Sequence, residues 1–317
     1  MDNNKQLVSV GLPVYNGGLF IRQAIDSLLA QDYDDFELII SDNCSRDRTQ
    51  EICMEYTAQD KRVRYSRCKA NMGAFWNFNH VFELSMGKYF MWASHDDYWE
   101  PSYISACFEA YKRCPNIVLA SAFCESFDPE KRIENFIDTG LTTTGSSPQE
   151  RFVQYKTNLH NGQNINSLFY GIYKRNFLSR VMPMKKVIAN DHLILAELCL
   201  HGEFETVKER LITKRWGGAS TSHRNNAHAQ GINNEFLIRF PYLVREIMLQ
   251  RIIFWRSNLF FKEKFKLSCW SLWNYISFSS RKTIRLSLVR VKNSCKFFIS
   301  GSIKMLHSFF DRFRVDD

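Results

Sequence analysis

Tyr89-Phe90-Met91-Trp92-Ala93-Ser94-His95-Asp96-Asp97-Tyr98-Trp99 is the stretch whose reading decides the fold. Tyr89 to Ala93 is an apolar run of buried-strand composition. Two adjacent carboxylates follow it, and they repel each other. A hard divalent cation shared with a polyphosphate relieves that repulsion, because Mg2+-like ions take one or two carboxylates plus substrate oxygens. The same residues also read as a strand-end turn, with Asp96 or Asp97 capping a helix near Pro101.

The residues upstream repeat the pattern of strand followed by polar turn. Leu7 to Leu12 is a short strand, and Pro13-Val14-Tyr15-Asn16-Gly17-Gly18 reads as a loop. Ile21, Ile25, Leu28 and Leu29 mark a helix face. Phe36 to Ser41 is a second strand that ends at Asp42, and Ser45 or Asp47 opens the next helix. Val63-Arg64-Tyr65 is a third strand. Asn71-Met72-Gly73 is a turn before a helix carrying Phe75, Phe78 and Phe82. Strands alternating with helices predict a parallel sheet with right-handed crossovers. Ligands of such sheets bind beyond the carboxyl ends of the strands. Pro13–Tyr15, Asp42, Asn71 and Asp96–Asp97 all fall at that end. No GxGxxG follows the first strand and no GxxxxGK[ST] occurs, which argues against dinucleotide and P-loop sites.

Together these residues resemble family 2 of the glycosyltransferases, with the GT-A fold. Val8 to Asn16 looks like the family's opening strand. Ser41-Asp42-Asn43-Cys44-Ser45-Arg46-Asp47-Arg48-Thr49 is similar to its DDGSxDxT turn. Asn71-Met72-Gly73 matches its NxG turn, and His95-Asp96-Asp97 its DxD-type metal site. The resemblance is dense over 7–103, thinner over 104–225 and absent beyond about 235. It implies that Pro13 and Tyr15 line the nucleoside pocket, beside Asn71, and that Asp42 accepts a hydrogen bond from the base. It also implies that Asp96 lies near the ribose and that Asp97 ligates Mn2+ or Mg2+ on the donor diphosphate. Two departures stand out. Ser94-His95 replaces the third acid that many members carry before the pair, and Asn43-Cys44 replaces the usual Asp-Gly, with consequences expected for base selectivity.

Beyond residue 115 the pattern is less regular. Ile117 to Ala122 and Phe204 to Thr213 read as strands, Ser167 to Tyr173 has strand composition, and Asp138 to Ser147 reads as a loop. Asp191 opens a helix that runs to about Leu200. The resemblance makes Asp191 the base of an inverting transfer, taking the acceptor's proton; an N-cap is the plain structural reading. Asn190 stands where the family often has Glu. Arg215 and His223 flank and enter the Trp216–Ser222 loop, which reads as a lid. By the resemblance they are candidates for the diphosphate and, for His223, the metal. Ile212 occupies the glutamine position of the QxxRW signature, which argues for transfer of a single sugar.

Charge divides the chain. Residues 1–235 hold 26 Lys+Arg against 28 Asp+Glu, and residues 236–317 hold 16 against 5. Ile299, Ile303, Leu306, Phe310 and Phe313 form one helical face among basic residues. The expected architecture is therefore an α/β GT-A domain over 1–235, with a mainly parallel Rossmann-like sheet flanked by helices. Its nucleotide half is about 1–100 and its acceptor half about 101–235. A basic amphipathic helical extension covers 236–317. That extension reads as a peripheral anchor on an anionic membrane, or as packing on the catalytic domain or on a second subunit; no nucleic-acid motif is present. With 26 Phe, 13 Tyr and 7 Trp there is apolar material for a core and an interface. Nine cysteines without a CxxC pair, and no signal-peptide pattern, predict reduced thiols at the cytoplasmic membrane face. No stretch has the roughly 20 apolar residues of a spanning helix.

The function expected is transfer of one sugar, from a nucleotide-sugar (UDP-sugar favoured) to an acceptor hydroxyl, with inversion. Surface polysaccharide or lipid-linked glycan assembly is the expected setting. A sugar-1-phosphate nucleotidylyltransferase and a non-catalytic binding scaffold are the alternatives.

Overall fold

The computed structural model describes residues 8–127, 136–161, 166–215, 232 and 234–290. The strands are β1 (Val8–Val14), β2 (Phe36–Asp42), β3 (Val63–Arg67), β4 (Tyr89–Trp92), β5 (Tyr98–Trp99), β6 (Ile117–Phe127), β7 (Phe136–Asp138), β8 (Ile172–Lys174) and β9 (Glu203–Arg215). They form one sheet in the order β3-β2-β1-β4-β8-β6-β9-β5, with β7 on β6. The first four pair in parallel, β8 is antiparallel to β4 and β6, and β6 and β9 run parallel. The helices are α1 (Ile21–Leu29), α2 (Thr49–Gln59), α3 (Ala74–Glu83), α4 (Tyr103–Arg113), α5 (Pro148–His160), α6 (Arg175–Val181), α7 (Asn190–His201), α8 (Glu235–Arg239), α9 (Pro241–Arg251) and α10 (Phe261–Arg290).

The parallel half needs apolar residues on both faces, and β1, β2 and β4 are buried along their whole length. On β4 the two-residue period sends Tyr89 towards Phe108 and Tyr111 of α4. Trp92 faces the other way, stacked on Phe169 at 4.8 Å and edge-on to Phe90 at 4.9 Å. Each such ring pair contributes about 0.5–1.5 kcal/mol beyond burial. Both faces of β4 are thus clamped just before the Asp96–Asp97 turn.

Several local expectations are corrected. Pro13 lies inside β1, not in a loop. The β4 ladder stops at Gly11 opposite Trp92, so no partner on that side needs the N–H that Pro13 lacks. Ser167 to Tyr173 is not one strand. Asn166–Tyr170 is a 3-10 turn, and only Ile172–Lys174 is extended. Gly171 permits this: a Cβ there would lie 2.5 Å from Leu119 Cδ1 and 2.7 Å from the Ala120 carbonyl.

The chain divides into two compact units, Met1–Ser268 and Cys269–Asp317, later than the charge boundary near 235. The first unit extends past 235 because α9 is tied to α5. Lys156 Nζ meets Glu246 Oε2 at 2.6 Å, with both side chains 5% exposed. Lys156→Met strips a buried carboxylate of its counter-ion and is expected to cost about 3–5 kcal/mol. A urea midpoint unchanged by that substitution would detach α9 from the body. The Ile299–Phe313 stripe lies outside the described residues. No described helix is long and apolar enough to cross a membrane.

Candidate active site

The parallel strands order as β3-β2-β1-β4, so the chain reverses direction of travel between β1 and β4. A crevice at the carboxyl ends is expected at that switch. The loop after β1 is held by the turn after β2. Asn16 N donates to Ser45 Oγ (2.8 Å), Gly17 N to Thr49 Oγ1 (2.9 Å) and Gly18 N to Asp47 Oδ2 (2.8 Å). Burial works against the Asp47 charge, but hydrogen bonds from Thr49 and Gly18 outweigh it and hold the carboxyl below its usual range. A Cβ on Gly17 would lie 2.8 Å from His95 Cδ2, so the loops after β1 and β4 meet there. Tyr15, 41% exposed, stands at the rim, where a base could stack.

Asp42 ends β2 at the carboxyl edge of the sheet. It is fully buried, accepting from Ser45 N (2.8 Å) and Tyr65 OH (2.7 Å), with Arg67 Nε at 3.3 Å. Its carboxylate knots the turn together and reaches no solvent. Asn43, also buried, donates from Nδ2 to Asn71 Oδ1 (2.9 Å) and accepts from Met72 N (2.8 Å). A carboxylate there could not donate to Asn71, which gives the Asn for Asp departure a physical meaning. Asn71 itself is exposed and accepts from Gly73 N at 2.8 Å. Cys44 has φ of 65°, the left-handed region that suits the glycine more usual there. Asp42→Ala leaves the Ser45 amide and the Tyr65 hydroxyl without this acceptor and is expected to destabilise the fold by about 3 kcal/mol. Denaturation and nucleotide titration of the same variant separate this from direct base contact. Wild-type stability with weakened nucleotide binding would restore the base-contact role.

Asp97 is only 5% exposed. β5 pairs Tyr98 with Thr213, which brings the end of β9 alongside, and Asp97 Oδ1 accepts from Arg215 N at 3.1 Å. Burial pushes the Asp97 carboxyl up to about 7; the Lys214 ammonium opposes this and Asp96 adds to it. Asp96 accepts from the Ser94 hydroxyl. Along β9 the side chains alternate. Lys214 Nζ sits 4.3 Å from the centre of the Tyr170 ring. Arg215 turns towards α1, its guanidinium 4.3 Å from the Phe20 ring centre and donating to Gln23 Oε1 at 3.3 Å. Among the described residues Lys214 and Arg215 both act on Asp97, Lys214 the more strongly.

Asp191 is the second residue of α7. The N-cap position is Ala189, with φ of 59°, and no side chain caps the helix. Asp191 is not the cap that the plain reading expects. Its side chain is 33% exposed, with His192 Nε2 at 3.8 Å. Asn190 is buried and donates to the Lys185 carbonyl. Tyr170 joins the two halves of the site. Its phenol is pushed well up by burial and then by the charges of Asp97, Asp96 and Asp191. Its carbonyl accepts from Tyr103 OH at 2.9 Å, fixing the turn that carries it. Sequence reasoning missed Tyr170 and Lys214. The alternation of β9 held the only signal, since it puts Lys214 and Arg215 on opposite faces.

The residues fit a hard divalent cation. Asp97 is a buried carboxylate whose charge its surroundings compensate poorly, next to a second carboxylate. Among the described residues no group of three or more His, Cys, Asp or Glu could hold an ion alone. An ion there would take its remaining ligands from substrate oxygens and water, as Mg2+-like ions do. His223 and the Trp216–Ser222 loop lie outside the described residues.

A mixed, mainly parallel sheet with acids beyond its carboxyl ends defines a GT-A-like α/β protein. The chain belongs to glycosyl transferase family 2, whose model matches residues 9–177. It is 41% identical over 98 residues to the uncharacterized glycosyltransferase RT0329 of Rickettsia typhi, over 31% of this chain and 30% of that one. It is 36% identical over 100 residues to the putative teichuronic acid biosynthesis glycosyltransferase TuaG of Bacillus subtilis, over 32% of this chain and 40% of that one. These matches therefore span well under half the length of those relatives. The fold is similar to that of S. aureus TarS 1-349 in complex with UDP-GlcNAc. The TM-score is 0.63 at 16% identity, over 90% of this chain and 77% of that one. It is also similar to the mannosyltransferase PcManGT from Pyrobaculum calidifontis in complex with GDP-Man and Mn2+. There the TM-score is 0.52 at 11% identity, over 98% and 82% of the two chains.

Proposed function

We propose that the chain is a metal-dependent, inverting glycosyltransferase. It moves a single sugar from a nucleotide-sugar, a UDP-sugar by preference, to an acceptor hydroxyl in surface polysaccharide or lipid-linked glycan assembly. The observation that carries this reading is the buried carboxylate Asp97, next to Asp96 and bonded to Arg215 N at the end of β9, where the loops after β1 and β4 meet. Family membership, and a TuaG relative named for teichuronic acid biosynthesis, support it.

Asp191 takes the proton of the acceptor hydroxyl as its oxygen bonds to the anomeric carbon. The bond from that carbon to the diphosphate oxygen breaks on the opposite face. The nucleoside diphosphate leaves with the electron pair, and the Lys214 ammonium stabilises the charge that develops there. Tyr15 and Asn71 hold the nucleoside, over a turn that Asp42 keeps in shape. Mn2+ or Mg2+ held by Asp97, with Asp96 beside it, would supply counter-charge to the diphosphate.

The experiment compares Lys214→Met with Arg215→Met. Lys214→Met is expected to weaken donor binding by about 10–100-fold, the loss of one charge-assisted contact worth roughly 1.5–3 kcal/mol. Arg215→Met should bind donor within a few-fold of wild type. The reverse order would return the diphosphate to Arg215 and place the leaving group on the α1 side.

A further inference from the structure

The reading above takes its reactants from the crevice and leaves unexplained a cluster of exposed aromatics in the first compact unit. After α9 the chain makes a π-helical turn, Ile252–Arg256, and then enters α10. Trp255 is 85% exposed, Phe260 81% and Phe261 75%. A single exposed aromatic is ordinary, but three within seven residues make a patch. The turn that presents them is anchored. Ile252, Ile253 and Leu267 are buried beneath it, and Ser257 N donates to the Ile252 carbonyl at 3.0 Å. Arg256 Nε meets the buried Glu197 Oε1 of α7 at 2.6 Å. The aromatics point outward because the apolar residues beside them already fill the core.

The surrounding charge selects the occupant. Residues 251–266 carry Arg251, Arg256, Lys262, Lys264 and Lys266 against the single acid Glu263. Glu263 is committed to the amide of Phe260 at 2.9 Å, Arg256 to Glu197, and Lys264 to the Phe254 carbonyl at 3.0 Å. Arg251, Lys262 and Lys266 remain exposed around the aromatic tip. Lysine is depleted in protein–protein interfaces, whereas Trp and Phe beside Lys and Arg suit the headgroup layer of an anionic bilayer. We propose that Trp255, Phe260 and Phe261 insert into the surface of an anionic membrane, with Arg251, Lys262 and Lys266 on the lipid phosphates. Attachment of this kind needs no spanning helix. Arg256 braces the tip on α7 six residues after Asp191, about 9 Å along the helix. A docked tip would thus hold the proposed base helix close to the bilayer. That consequence deepens the reading of a lipid-borne acceptor, while docking itself stands apart from catalysis.

The test is co-sedimentation of the full chain with phosphatidylglycerol–phosphatidylcholine vesicles and with phosphatidylcholine vesicles alone, without donor or acceptor. Wild type should bind the anionic vesicles and be partly released by salt. Trp255→Ser with Phe260→Ser and Phe261→Ser should weaken binding by about 100-fold, since each aromatic withdrawn from the interface removes several-fold in partition. Lys262→Glu with Lys266→Glu should abolish the preference for anionic lipid. Donor binding should survive in both variants, which reports that they fold. Trp255→Ser alone, with Trp fluorescence quenched by brominated lipid in wild type and not in the variant, gives a readout with minimal perturbation. Vesicle binding unchanged in the triple variant would overturn the proposal and assign attachment to other residues, 291–317 among them. Conversion of a dimer to a monomer by the triple variant, at constant vesicle binding, would overturn it in favour of a second copy of the chain. In a separate transfer assay, failure of wild type to move sugar while it still binds vesicles would count against the catalytic reading and leave the docking proposal standing.

Discussion

The Asp191→Asn variant is expected to bind donor like wild type and to transfer sugar about 10²–10⁴-fold more slowly, the usual contribution of a positioned general base. The geometry makes this a sharp expectation. An N-cap carboxylate would show a fold defect instead, because capping side chains contribute about 0.5–2 kcal/mol. Asp191 is not at the cap position and no side chain caps α7. The variant keeps the shape of the side chain and its place in the first turn while removing its basicity. Single-turnover transfer and a denaturation curve on the same preparation separate the two roles. A normal rate with lowered stability would make Asp191 a helix-terminus residue.

Asp97→Ala is expected to abolish the Mn2+ dependence of donor binding and to lower turnover by at least about 100-fold, the loss of several kcal/mol of charge stabilisation. It should do so without loss of stability at neutral pH. The sign follows from burial, which raises this carboxyl from an ordinary value of 3.8 to about 7. A group with a raised folded pKa takes up protons on folding, so its contribution to stability worsens as pH rises from about 4 through about 7. Removing it lifts that cost at neutral pH. Loss of function combined with equal or greater stability is the signature of a carboxylate kept for a ligand. Unchanged metal dependence in the variant would remove Asp97 from the metal site.

The parts legible in the sequence were those set by local pattern. The apolar runs of β1, β2 and β4 and the polar residues at their ends follow from two-residue periodicity and turn composition. The doubly covered sheet follows from strands alternating with helices. What stayed hidden depended on partners distant in sequence. Asp42 has the look of an exposed strand-end acid until Tyr65 and Arg67, from β3, close over it. Lys214 and Arg215 are adjacent cations, and only the pairing of β9 with β5 brings them to Asp97. Tyr170 sits in a run of strand composition that Gly171 turns into a 3-10 bend. The boundary near 235 followed charge, but a buried ion pair between α5 and α9 binds the next helices to the body. Charge composition does not register a pairing of that kind.

A nucleoside diphosphate-sugar is expected to bind over the carboxyl ends of β1 and β4 with help from a divalent cation. The most direct measurement is the thermal unfolding midpoint of wild type and Asp97→Ala with UDP-, GDP- and dTDP-sugars, each with and without Mn2+. A ligand that binds only the folded state raises the midpoint. A rise is expected in wild type for at least one donor, UDP-sugars foremost, that needs Mn2+ and is absent in Asp97→Ala. No rise with any donor, or the same Mn2+-dependent rise in the variant, would contradict it.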